Sequence, residues 1–247
     1  MNSIQRITLI GFLVLGPTIS ADTLLGIYLD YSRWTAESSG QIASLQAPIN
    51  LDEIITDDDD GTVLSFKLEH PLPGLPNIGL SRTTITAGDT VSLGTTQGYA
   101  NAVFTSATIL NTEIDSMHEE VQLYYELLDN WVSLDLGINL IHVDDQIRLS
   151  SPDTLATSRV DEYLAGIYAM AAFEIPTTNL YVKGSLTRAD MSDVELNRYL
   201  LGLGWESDWG LGFELGYRNR SVEWQNIQLA DGSWDLDGYY ASVRYHF

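Results

Sequence analysis

The 247-residue chain contains no cysteine, which excludes a lipid-modified N-terminus and any disulfide framework. It is also poor in positive charge: 12 Lys and Arg face 34 Asp and Glu, for a formal net charge of −22. No clustered basic surface is available to follow a phosphate backbone, so nucleic acid is excluded as a partner. Nowhere does the chain offer the roughly 20 consecutive apolar residues that a membrane-spanning helix needs. The apolar run that comes nearest, residues 7–15, follows Arg6 and precedes the small residues Ile19, Ser20 and Ala21. That arrangement reads as a secretory signal peptide over residues 1–21, cut between Ala21 and Asp22, leaving residues 22–247 as one exported domain.

What the exported part does contain is alternation. Its last strand places Tyr239, Ala241, Val243, Tyr245 and Phe247 on one face and Gly238, Tyr240, Ser242, Arg244 and His246 on the other. One face suits lipid and the other a polar interior. Tyr239, Val243, Tyr245 and the final Phe247 resemble the signal read by the bacterial barrel-assembly machinery.

Similar segments recur at residues 23–34, 62–70, 77–85, 115–126, 131–140, 162–175, 180–188, 196–206 and from 211 onward. Within 131–140, Val132, Leu134, Leu136, Ile138 and Leu140 alternate with Ser133, Asp135, Gly137 and Asn139. An Asp inside so apolar a strand requires two faces in different solvents. Connections after the even strands are only about four to six residues, while those after the odd strands (residues 36–61, 86–114, 142–160, 189–195 and 221–233) are longer. The expected fold is all-β: a closed antiparallel transmembrane β-barrel of about ten strands, with short periplasmic turns and long extracellular loops. An eight-stranded barrel is the alternative, if the third and fourth segments leave the membrane. Trp131, Trp205 and Trp209 at the short-turn end, and Trp34, Tyr217, Trp224 and Trp234 at the other, would form two interfacial belts.

The chain resembles an uncharacterised family of small Gram-negative outer-membrane β-barrel proteins. The resemblance rests on Asp22-Thr-Leu-Leu-Gly-Ile-Tyr28, Leu68-Glu-His-Pro-Leu-Pro-Gly-Leu-Pro-Asn-Ile78, Leu123-Tyr-Tyr-Glu-Leu-Leu-Asp-Asn-Trp-Val-Ser-Leu-Asp-Leu-Gly137, Gly210-Leu-Gly-Phe-Glu-Leu-Gly-Tyr-Arg218 and the ending from Tyr239 to Phe247. It implies an integral outer-membrane location and an architecture, and carries no catalytic motif.

The inward faces collect Lys67, Lys183, Arg198, Arg218 and Arg244 with Asp30, Glu69, Glu120, Glu126, Asp135, Glu206 and Glu214. Buried charges must be paired, so these are expected to form a network filling the lumen. A plugged barrel of structural or surface-interaction type is the first expectation, and a narrow, porin-like channel for small solutes the second. No enzyme is expected. The one constellation that would suit a lipid-modifying esterase or deacylase is Ser116, His118 and Glu120 on one strand face. Successive side chains there stand roughly 6.5–7 Å apart, too far for a direct relay. Asp57, Asp58, Asp59 and Asp60 lack the ligand spacing of a calcium loop, so a solvated acidic loop is expected, with a metal site as the alternative. No cofactor is implied. The expected partners are outer-membrane lipid, lipopolysaccharide with its bridging divalent cations, and the assembly machinery, with the protein itself a monomer.

Overall fold

A computed structural model describes residues 25–43, 48–72, 74–100, 102–129, 131–191, 193–227 and 230–247. The expected signal peptide and the Ala21/Asp22 cleavage site lie outside the described residues. Ten long strands succeed one another: β1 Gly26–Ala43, β2 Asp59–Glu69, β3 Asn77–Ser92, β4 Ile109–Asp129, β5 Val132–Ser150, β6 Leu155–Glu174, β7 Leu180–Met191, β8 Val194–Glu206, β9 Leu211–Ile227 and β10 Ala230–His246. Each pairs antiparallel with the next. The sheet closes through β1 and β10, in register from Tyr28 opposite His246 to Ala43 opposite Asp231. Closure leaves no open edge in lipid. Strands β3 and β4 are full members, paired from Asn77 opposite Tyr124 to Ser92 opposite Ile109, so the barrel has ten strands and not eight.

Lipid-facing segments are marked by exposed apolar side chains. Examples are Leu29 and Tyr31 on β1, Leu136, Ile138 and Leu140 on β5, Tyr163 to Phe173 on β6, and Tyr199, Leu201, Leu203 and Trp205 on β8. On β5 this band runs from Val132 to Leu140, which at a tilt of roughly 40° makes it about 20 Å tall, near the apolar height of an outer membrane. Directly above it the outward positions become charged. Arg33 pairs with Asp60 at 3.1 Å, Arg82 with Glu119 at 3.8 Å, His142 with Asp161 at 2.9 Å, Arg159 with Asp144 at 2.7 Å and Arg188 with Glu195 at 2.9 Å. These pairs form a polar collar around the outside of the barrel.

Above the collar the strands continue, and the apolar residues change sides. On β5 the even residues Leu136 to Leu140 face lipid, whereas beyond them the odd residues Ile141, Val143, Ile147 and Leu149 are buried inside. Side-chain alternation is unbroken; only the identity of the inward and outward sets is exchanged. The extracellular half of the lumen is therefore a packed apolar core built from Trp34, Ile85, Leu110, Ile114, Val160, Leu196, Val222, Trp224, Trp234 and Leu236.

Two loops complete that core. The first brings a short strand Ile49–Asn50 against β1 and a 3₁₀ turn, Leu51–Glu53, burying Ile49, Leu51, Ile54 and Ile55. The second forms a hairpin of Gln97–Tyr99 and Ala102–Phe104, burying Tyr99 and Phe104. The other extracellular connections are only residues 151–154, 192–193 and 228–229. The long extracellular excursions read from the sequence are thus mostly strand.

The tryptophan assignment needs correction. Trp131, Trp205 and Trp209 are exposed at the periplasmic end, but Trp34, Trp224 and Trp234 are 1%, 3% and 1% exposed inside the upper core. The upper belt is made of tyrosines instead, with Tyr31, Tyr163, Tyr199 and Tyr239 exposed just below the collar. Trp34 shares its parity with inward Ser32 and faces a gap left by Gly61, where an added Cβ would meet the indole at 3.3 Å.

Candidate functional site

The polar lumen lies at membrane height, beneath the apolar core. Small residues on β8 make room for it. A Cβ on Gly202 would stand 2.3 Å from the Tyr240 hydroxyl, and one on Gly204 would overlap the Tyr181 ring at 2.1 Å. Both tyrosines can therefore reach across to β9, where Tyr240 donates to Glu214 at 2.6 Å and Tyr181 donates to it at 2.9 Å. Lys183 completes the shell of Glu214 with a 2.7 Å ion pair.

The other sequence-expected charges fall into five sets. Asp30 receives Arg244 at 2.7 Å along the seam. Glu120 on β4 receives Arg198 from β8 at 2.6 Å, a bridge across the lumen, and also binds the Asn139 amide. Glu69 accepts from the Tyr124 hydroxyl at 2.7 Å, while Lys67 lies over the rings of Tyr124 and Tyr168 at 5.0 and 6.0 Å. Arg218 rests on the rings of Trp34 and Tyr240 at 5.7 and 5.0 Å. Asp135, Glu126 and Glu206 line a vestibule of about 410 Å³ open at the periplasmic end, where His246 stacks on Tyr28 and meets Glu206 at 3.3 Å.

Ser116, His118 and Glu120 do share one face of β4, but they do not form a relay. Each is held by a residue from another strand. Arg220 on β9 donates to Ser116 Oγ at 2.9 Å, to Asp145 Oδ2 on β5 at 2.8 Å and to His118 Nε2 at 2.7 Å. A guanidinium can only donate and a carboxylate can only accept, and Nε2 also lies 3.1 Å from Asp145 Oδ1, so Nε2 serves one of the two neighbours at a time; when it accepts from Arg220 the ring proton sits on Nδ1. Ser116, His118, Asp145 and Arg220 are all at least 96% buried. Arg220 also stacks on Trp234, 4.9 Å from its centroid. This cluster forms the floor of the apolar core and the ceiling of the polar lumen. Asp145 escaped the sequence reading because it falls in residues 142–160, which read as a connection. Arg220 stands at the end of the ninth segment, past Tyr217, the last apolar residue of its outward face.

Between this ceiling and the Glu120–Arg198 bridge lies a cavity of about 170 Å³, lined among others by Trp34, Lys67, His118, Glu120, Arg198, Arg218 and Arg220. A buried donor without an acceptor costs about 1–3 kcal/mol. Trp34 Nε1, Arg198 Nε and Arg220 Nε are three such atoms, and His118 Nδ1 is a fourth when it carries the ring proton.

The acidic loop does not converge. Asp57, Asp58 and Asp60 are exposed, with Asp60 committed to Arg33, whereas Asp59 turns inward and accepts from Ser38, which in turn accepts from the Trp234 indole at 2.8 Å. Burial pushes the Asp59 carboxyl up to about 6, against the opposing pull of Ser38. Among the described residues no group of three His, Asp or Glu side chains is arranged to hold a metal ion.

A closed ten-stranded barrel with an apolar belt, a tyrosine girdle and a charged collar has one environment that satisfies all three surfaces. The chain is an integral outer-membrane protein of a Gram-negative bacterium. Among solved structures it is similar to the outer membrane protease OmpT from Escherichia coli, with 10% identity over 94% of this chain and 99% of that one, at a TM-score of 0.51. It also aligns with the translocator domain of the autotransporter NalP from Neisseria meningitidis, with 9% identity over 92% and 90% of the two chains, at a TM-score of 0.48. Ail, the attachment invasion locus protein of Yersinia pestis, aligns with 8% identity over 90% and 100%, at 0.39. No protein-family model and no curated protein sequence matches the chain.

The likeness to OmpT is one of fold. It nevertheless corrects the expectation that no enzyme is to be found here, which rested on the spacing of Ser116, His118 and Glu120 and on the lack of a catalytic motif, because the same architecture carries a protease.

Proposed function

We propose that the protein is a non-conducting outer-membrane barrel of structural or surface-interaction type, like the uncharacterised barrel family it resembles. The observation that carries this reading is the apolar core sealing the extracellular half of the lumen, formed by wall residues and by two inserted loops. Dewetted apolar packing several residues deep is a barrier to any hydrated solute.

The surface offered to the exterior is rigid and acidic. Glu37, Asp57, Asp58, Glu113, Asp115, Asp153, Asp190, Glu223 and Asp235 stand on it with few cations between them. It suits cationic partners, including the divalent ions that bridge lipopolysaccharide around the collar. The belt meets lipid directly. The ending from Tyr239 to Phe247 serves biogenesis through the assembly machinery, and the barrel works as a monomer.

Planar-bilayer recording of the refolded protein tests the central claim. No unitary conductance steps are expected from the intact barrel, and steps are expected once residues 93–108 are replaced by a short Gly-Ser link. Steady conductance from the intact protein would replace this reading with that of a narrow channel.

A further inference from the structure

The charge of the lumen runs against that of the molecule. Half of the 12 basic residues, namely Lys67, Lys183, Arg198, Arg218, Arg220 and Arg244, point inward in a chain with a net charge of −22. Lys183 and Arg244 are neutralised by Glu214 and Asp30. The other four line the cavity beneath the Arg220 ceiling, where Glu120 is the only carboxylate in the wall and Asp145 stands behind Arg220. Neither Lys67 nor Arg218 lies within ion-pair distance of a carboxylate among the described residues; both lie over aromatic rings, and Asp135 and Glu69 are the carboxylates whose charge reaches Lys67 from the vestibule side. Such a surplus of buried positive charge calls for a counter-charge.

Of the eight unpartnered buried side-chain atoms among the described residues, four belong to residues lining this one cavity: Trp34 Nε1, Arg198 Nε and Arg220 Nε, which are donors, and His118 Nδ1. His118 presents an N–H at Nδ1 when the ring is protonated or when Nε2 accepts from Arg220, and not when Nε2 donates to Asp145. Donors approaching from β1, β4, β8 and β9 suit an acceptor with several oxygens better than a single-point ion. The volume of about 170 Å³ also exceeds what one water fills, on the order of 10–15 Å³ by the same kind of measure.

We propose that this cavity is a binding site for a small oxyanion of the phosphate or sulfate class, held by Arg198, Arg218, Arg220 and Lys67, with Trp34 and His118 as neutral donors. Guanidinium forks match such oxygens in geometry as well as in charge. The anion enters from the periplasm. Lys67 lines both the cavity and the vestibule below it, whereas the route from outside is closed by the apolar core. This site stands whether or not the barrel conducts, because it concerns the polar lumen alone.

The test is isothermal titration calorimetry of the mature chain, refolded in detergent without phosphate, sulfate or chloride, against inorganic phosphate and sodium sulfate in turn. One saturable site per barrel is expected. Binding weakens at least tenfold in Arg218→Met, which strands no buried carboxylate, and in Lys67→Met, which also removes the charge that offsets buried Asp135, and is unchanged in the exposed control Arg188→Gln. Circular dichroism establishes that each variant is folded, and if one is not, the other decides. Absence of saturable binding by both anions, or binding unaltered in every folded variant, would overturn the proposal.

Discussion

The two halves of the barrel wall use the same strands, the same register and the same alternation, yet they solve opposite solvent problems. At membrane height, Leu201 and Leu203 face outward and Arg198, Glu120 and Lys183 face in. Above the collar, Ile147, Leu149 and Val222 face in, while Arg148 and Glu113 face out. The lower half is a lipid-embedded barrel with polar contents; the upper half is packed like a water-soluble β-protein. Secondary structure is indifferent to the difference, since hydrogen bonding along the ladder needs no particular solvent. The stability of the two halves therefore rests on different interactions.

The most damaging change is expected at the boundary between them. Arg220→Met strands Asp145 as a buried charge and should cost about 3–5 kcal/mol in urea unfolding of the barrel in lipid vesicles. Truncating the upper core with Leu110→Ala should cost about 2–5 kcal/mol in the same assay, as in any close-packed interior. A charge scan of the outer face then locates the edge between the halves. Leu203→Arg should destabilise by up to about 2–4 kcal/mol if it lies near the bilayer midplane. Thr86→Arg, equally outward but at the height of the collar beside Asp60 and Asp115, should change stability by less than about 0.5 kcal/mol. Equal penalties at the two positions would show that the membrane band is misplaced.

Two smaller effects concern the cap. Burial favours the protonated form of Asp59, so its folded value, about 6, lies above its ordinary one near 3.8. The sign follows: the first loop is held most firmly below about pH 4 and loosens as pH rises through 6. Limited proteolysis within residues 48–58 should quicken across that window, and Asp59→Asn should abolish the dependence. Last, Ser158→Ala removes the hydroxyl partner of buried Tyr99 and should weaken the second loop by about 1 kcal/mol, seen as faster hydrogen exchange over residues 97–104.

How far the chain could be read depends on the same division. Leu134 to Leu140 against Ser133 to Asn139 announce a barrel strand, because one face is apolar throughout. After Leu140 the apolar set moves to Ile141, Val143, Ile147 and Leu149, and the shift looks like the end of a strand when it marks the end of the membrane. A period of two records which side a residue is on, not which solvent is there. That is why Asp145 and Arg220 were missed, and why Trp34, Trp224 and Trp234 were placed in a girdle, although the parity of Trp34 with Ser32 already pointed inward. The common face of Ser116, His118 and Glu120 was legible from spacing alone. Their partners on β5, β8 and β9 were not, since contacts across a lumen exist only after the sheet has closed.

That closure couples the wall to the core. Strand β10 closes the sheet, and it carries Trp234 and Leu236 into the upper core along the same seam that pairs Tyr28 with His246 at its other end. Zipping the wall therefore also seats part of the cork. A barrel whose seam is unpaired lacks both its wall and those two pieces of its stopper.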